Sequence, residues 1–168
     1  MYNQTLKFVT FEPAAVSKKS SPDPSVDAYR EVLRECASFN LRKASRVVTQ
    51  LYDDVLQPTG LRSTQVALLV LLAVENESSM SRLARQMMLS PSTLSRNLGP
   101  LQRDGLVAVQ ASGKRGKIVS LTAAGRKALS DAFPYWQEAQ AKFTALVGPS
   151  AWSKLSRQLA MTTNAARS

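Results

Sequence analysis

The 168-residue sequence contains no histidine and a single cysteine, Cys36. Without histidine, the commonest general base and transition-metal ligand is gone, and with it every Ser–His or Cys–His catalytic pair. One thiol excludes an intramolecular disulfide and a cysteine-rich zinc site. Acids are scarce as well: 12 Asp and Glu face 22 Lys and Arg, a formal net charge of +10. There are no clustered carboxylates and no glycine loop of the phosphate-binding kind. No enzyme, catalytic residue, metal or cofactor is therefore expected. Long apolar runs are absent too. The longest, residues 66–74 (VALLVLLAV), has nine residues, whereas a membrane span needs about 20. Residues 1–10 lack a basic segment followed by an apolar stretch, so no secretory signal is expected. A cytoplasmic protein without a membrane partner follows.

What is present points to a mainly helical chain. Hydrophobic residues make up 44% of it, enough for a packed core. Residues 1–24, with Pro13, Pro22 and Pro24, read as a disordered arm. Residues 25–57 have no Gly or Pro and keep helical apolar spacing through Tyr29, Val32, Leu33, Cys36, Val47, Val48 and Leu51. One helix of roughly 40 Å, at 1.5 Å per residue, is predicted from Ser25, with a second subunit covering its stripe. Ser63 or Thr64 is expected to cap the next helix, and residues 76–78 read as a loop. Ser79 caps a short helix, and Ser90 with Pro91 starts another that Gly105 ends. Two strands follow around a tip at Lys114 and Arg115. Thr122 caps a long helix, expected to break or bend near Pro134, and a last helix starts near Ala151. Trp136 and Trp152 are expected in subunit packing. The domain reading is an arm (1–24), a dimerisation helix (25–60), a DNA-binding lobe (61–121) and C-terminal dimerisation helices (122–168).

Two short helices joined by a tight turn, then a basic β-hairpin, spell a winged helix–turn–helix. A helix fits the major groove and presents side chains to base edges there. Charge agrees with that reading. Residues 78–130 carry nine Lys and Arg against one acid, Asp104, where a merely solvated face mixes signs. In the second short helix, Leu94, Leu98 and Leu101 share one face and are expected in the core. Ser90, Ser92, Thr93, Ser95, Arg96, Asn97 and Arg103, with Lys114, Arg115 and Lys117 of the hairpin, are the expected DNA contacts. Arg96 is the best placed for a bidentate guanine contact.

Three stretches, LRSTQVALLVLL, MSRLARQMMLSPSTLSRNLGPLQRDGLV and SGKRGKIVSLTAAGRKAL, resemble the MarR family of bacterial transcription regulators. The resemblance implies a homodimer with interlocked terminal helices and two winged lobes on a pseudo-palindromic operator. It also implies repression relieved by a small, often aromatic, effector, or in some members by cysteine oxidation. The sequence departs from the family in three places. The wing reads Gly113-Lys114-Arg115 where an acid usually braces the arginine. Met88 stands at a turn that commonly has glycine. Arg82 replaces a helix-capping Glu. For the effector, Asn40 is the expected polar contact, with Phe39 and Tyr52 as aromatic walls. Cys36 is the redox alternative, and a ligand-blind architectural or protein-binding module is the other.

Overall fold

Ser25 opens the first helix because its Oγ accepts the Ala28 N–H at 3.2 Å. That satisfies one of the donors every helix start leaves unpaired. The helix, α1 (Val26–Glu35), belongs to a computed structural model that describes residues 23–113 and 116–165. The expected arm therefore lies almost wholly outside the described residues. The chain divides into two units, residues 1–40 and 41–168.

In the first unit, the single long helix predicted from Ser25 is interrupted. Helix α1 stops at Cys36, whose backbone is extended (φ −65°, ψ 109°), and α2 (Ala37–Leu56) starts afresh. Asn40 holds the break together. Its Nδ2 donates to the carbonyls of Arg34 at 2.8 Å and Cys36 at 3.1 Å. The side-chain amide thus meets the Arg34 carbonyl at the interruption and shares the Cys36 carbonyl with the Asn40 backbone N–H, which bonds it at 3.0 Å. Periodicity gave no sign of this, because neither Gly nor Pro marks the site. Within α1 no residue is buried. Tyr29 and Val32, on the expected inner stripe, are 54% and 59% exposed.

In the second unit, Leu56 at the end of α2 is buried and a 3₁₀ turn follows (Gln57–Thr59). Helix α3 (Ser63–Glu75) comes next. Neither Ser63 nor Thr64 caps it; Arg62 takes that position. Its N–H groups are met by one distant side chain and by one within the helix's first turn. Asp53 Oδ1 accepts from the Ser63 N–H at 2.7 Å, and Gln65 Oε1 accepts from the Arg62 N–H at 2.8 Å.

Beyond α3 run β1 (Glu77–Ser79), α4 (Met80–Gln86), α5 (Pro91–Arg103), β2 (Val107–Ala111), β3 (Lys117–Leu121), α6 (Ala123–Val147) and α7 (Pro149–Ala165). The expected hairpin is there, but β3 is the middle of a three-stranded antiparallel sheet, ordered β1-β3-β2. Residues 77–79, read as the end of a loop and a helix cap, form the third strand. Val119 pairs with Val109 on one side and Ser78 on the other. Three polar residues carry no strand pattern; β1 forms because β3 offers an open edge of backbone donors and acceptors.

The core is mostly leucine. Leu56, Leu68, Leu69, Leu72, Leu83, Leu94 and Leu101 are fully buried, together with Val119. They come from five elements and fix α5 against α3, α4 and the sheet. Of the break or bend expected near Pro134, the break does not occur: helix α6 continues through Pro134. Proline removes one backbone bond there, while Ala132 and Ala139 on either side remain buried. Thr122 caps α6 by accepting the Gly125 N–H at 2.9 Å, and its hydroxyl donates to the Gly105 carbonyl at 2.7 Å. Gly125 is required by space: a Cβ there would lie 2.0 Å from the Leu106 carbonyl oxygen.

Candidate functional site

The turn between α4 and α5 sets the angle at which α5 is presented. Leu89 N–H bonds the Ala84 carbonyl at 2.9 Å, and Met88 N–H bonds that of Arg85 at 3.3 Å. This is a Schellman closure, which needs a left-handed residue in the middle. Met88 takes that conformation, with φ 54°, at the position where the sequence departs from glycine.

Helix α5 then starts on a cluster of hydroxyls. Ser90 Oγ accepts the Thr93 N–H at 3.2 Å and lies 2.8 Å from Thr93 Oγ1 and 3.0 Å from Ser92 Oγ. Leu94, Leu98 and Leu101 point inward and are buried. The other side of α5 faces solvent. Ser90, Ser92, Ser95, Arg96 and Arg103 are exposed, and Thr93 and Asn97 are half-buried. Lys117 is exposed at the start of β3, while Lys114 and Arg115 lie outside the described residues. A helix N-terminus with exposed hydroxyls and an unpaired arginine one turn on suits phosphates and base edges.

Charge pairing narrows the basic surface. Arg82 is tied to Glu75 by Nη2 at 2.8 Å and Nε at 3.1 Å, and Lys127 is tied to Asp131 at 2.6 Å. Among the described residues, Arg85, Arg96, Arg103, Lys117 and Arg126 have no acidic partner. The nine-to-one charge count therefore overstates the free cations, because Glu75 and Asp131 lie just outside the counted segment.

Glu75 carries a second partner. Gln86 Nε2 donates to the same Oε1 at 2.5 Å. Arg82 first, then Gln86, holds the Glu75 carboxyl down from 4.5 to about 2. The loss of a capping Glu at position 82 is thus matched by an arginine that locks α4 to the end of α3.

Behind this lock lies a cavity of about 620 Å³, bounded by α2, α3, α4 and α6. Val70, Val74, Phe133, Trp136, Tyr52 and Gln86 are among its walls, and no charged residue lines it. Phe133 and Trp136 stack nearly parallel, with ring centroids 5.8 Å apart and 13° between planes. Burial raises the Tyr52 phenol above its usual value, and its hydroxyl donates to Gln140 Oε1 at 2.7 Å.

Of the expected effector contacts, Tyr52 lines this cavity, whereas Phe39 and Asn40 belong to the first unit. The Asn40 amide is already spent on the two carbonyls at the helix break. Cys36 is half-buried at that break. Trp136, expected in subunit packing, is a cavity wall. Sequence reading passes over Val70 and Phe133, since apolar residues facing a cavity look like core, and over Gln86, which belongs to no motif. The one available sign is that α3 is apolar all round, more than one packed face uses; Val70 and Val74 are 42% and 76% exposed.

Residues 59–118 match the model of the MarR family. The Mycobacterium tuberculosis transcriptional regulator MosR, solved in complex with DNA, is 42% identical over 79% of this chain and 97% of its own, with a TM-score of 0.72. The chain belongs to the MarR family. A second MosR structure is 39% identical over 80% of this MarR-family chain and 98% of MosR, with a TM-score of 0.71. The transcriptional activatory protein BadR of Rhodopseudomonas palustris is 30% identical over 114 residues, which span 65% of each chain. In this MarR-family chain the matched residues contain α4, the turn, α5 and β2, and end at the start of β3. Among the described residues no helix is long and apolar enough to cross a membrane.

Proposed function

We propose that the protein is a dimeric, DNA-binding transcriptional regulator with no catalytic step, released from its operator by a small aromatic molecule. The observation that carries the DNA reading is the solvent face of α5: hydroxyls at the N-terminus, Arg96 one turn on, and no acidic partner for Arg96. MosR, 42% identical, was solved in complex with DNA, which supports DNA as the partner. Exposed apolar side chains on α1, α6 and α7, such as Tyr29, Leu146 and Met161, support a second copy as their cover. The uncharged cavity against α4 supports an effector. Repression is the expected sense when the operator overlaps a promoter. BadR is named for activation, and an operator upstream of the promoter would give that sign instead.

The test is selection of duplexes from a random pool, followed by fluorescence anisotropy at several salt concentrations. Two lobes, each offering Arg96, Arg103 and Lys117, should give a log–log salt slope of magnitude about 4 or more. A selected duplex should bind at least about a thousandfold tighter than a scrambled one. No enrichment, or equal affinity for both duplexes, would sink the DNA reading.

A further inference from the structure

Helix α5 carries, side by side, the two residues that helix interiors avoid. Glycine and proline are the poorest helix formers, yet α5 runs through Gly99 and Pro100 to Arg103. The fold does not demand the glycine. Gly99 has no positive φ, so the backbone conformation suits any residue. A Cβ there would meet no atom within 4 Å beyond its chain neighbours and the helix's own backbone. Gly125, where a Cβ would strike a carbonyl, is the opposite case. Pro100 removes the N–H that would bond the Arg96 carbonyl, and its ring stands in that place. Both residues share the solvent side of α5. At about 100° per residue, Gly99 and Pro100 lie within about 60° of Arg96, one on each flank. Leu94, Leu98 and Leu101 are buried on the other side. Arg103 returns to the same line one turn beyond Gly99. Among the described residues, Arg96 and Arg103 have no acidic partner. Between two free guanidinium groups the helix is therefore bare: a notch of backbone and proline ring, with no side-chain donor or acceptor.

From this placement we infer that Gly99 and Pro100 set part of the sequence preference, and that their notch takes the 5-methyl group of a thymine. The inference rests on the reading of α5 as the DNA-reading helix. Base edges in the major groove offer donors, acceptors and one apolar group, the thymine methyl. A surface without a hydrogen-bonding side chain complements only the last. A phosphate contact would call for a donor, which neither Gly99 nor Pro100 has on its side chain. Because the pair flanks Arg96, presenting Arg96 to a base edge brings the notch to the neighbouring edges. Glycine at this point lets the backbone come close, and the methyl gains by leaving water.

The test uses the full chain and a duplex selected from a random pool, with each thymine replaced in turn by deoxyuridine, which lacks only the methyl. Anisotropy at fixed salt reads the affinity. Replacement at one thymine per half-site should weaken binding about three- to fivefold. Gly99→Ala puts a methyl into the notch. It should weaken the thymine duplex about tenfold and bind the matching deoxyuridine duplex as well or better. Its melting temperature should rise, because alanine is the better helix former, which separates a lost contact from a lost fold. Pro100→Ala removes the ring and should narrow the difference between the two duplexes. A tightly bound duplex with no thymine sensitive to the replacement would overturn the inference. So would an unchanged thymine preference in Gly99→Ala, or a lower melting temperature of that variant. These results leave the DNA reading standing, whereas failure to enrich any duplex would take both down.

Discussion

Gln86 donates its side-chain amide to Glu75 Oε1 at 2.5 Å, on the same oxygen that holds Arg82 at 2.8 Å. A residue in the cavity wall and a residue on the helix before the turn therefore share one acceptor. Gln86 is itself the last residue of α4, so a ligand hydrogen-bonded to its free amide oxygen would act on the helix whose end sets the angle of α5. Coupling of this kind requires only that the ligand prefer one arrangement.

Gln86→Ala should separate the two activities. Arg82 keeps its pair with Glu75, so affinity for a selected duplex without ligand should stay within about threefold. The ratio of duplex affinities without and with 2-naphthol, a small aromatic hydrogen-bond donor, should fall toward one. Anisotropy titrations at fixed salt, with and without 2-naphthol, read both quantities. An unchanged ratio would remove Gln86 from the route.

Glu75 also gives a pH signature. Its pKa is lowered in the folded chain, so its contribution is fully present above the ordinary value near 4.5 and is lost as pH falls toward about 2. Glu75→Gln should flatten the fall of thermal stability across that window, relative to the unaltered chain. Melting temperatures at a series of pH values give the comparison. Parallel curves would show that the carboxylate is not held as described.

Much of the helix–turn–helix can be read directly from the residues, because caps are local chemistry. Ser79, Ser90 and Thr122 each accept an N–H three residues on, and the Leu94, Leu98 and Leu101 face is one helical stripe. Features that depend on distant partners cannot be read this way. The α1–α2 break at Cys36 depends on Asn40 folding back onto carbonyls, which periodicity does not register. Strand β1 exists because β3 has an open edge. Arg82 and Lys127 count as free cations until the structure brings Glu75 and Asp131 to them. The cavity is hidden because Val70 and Phe133 are the same residue types as the core around Leu69.

Met88 holds a left-handed conformation, φ 54°, that glycine adopts without steric cost. Met88→Gly should stabilise the fold by about 0.5–1 kcal/mol, raising the melting temperature roughly 1–4 °C in a chain of this size. The side chain is 51% exposed, so little buried surface is lost. A lower melting temperature would mean that Met88 contributes more by packing than it costs in strain.

Asn40→Leu removes two hydrogen bonds to the carbonyls of Arg34 and Cys36. Each such bond is worth about 1 kcal/mol, so hydrogen exchange of α1 amides should quicken about tenfold or more. The 2-naphthol affinity should not change. Loss of 2-naphthol binding with unaltered exchange would restore Asn40 as an effector contact.

The role of α5 is tested most directly by Arg96→Ala, measured by anisotropy against a selected duplex and against variants of it at each base pair. The substitution should cost about 1–3 kcal/mol on the selected duplex and relax discrimination at one base pair per half-site. Unchanged affinity together with unchanged discrimination at every position would contradict DNA reading by α5.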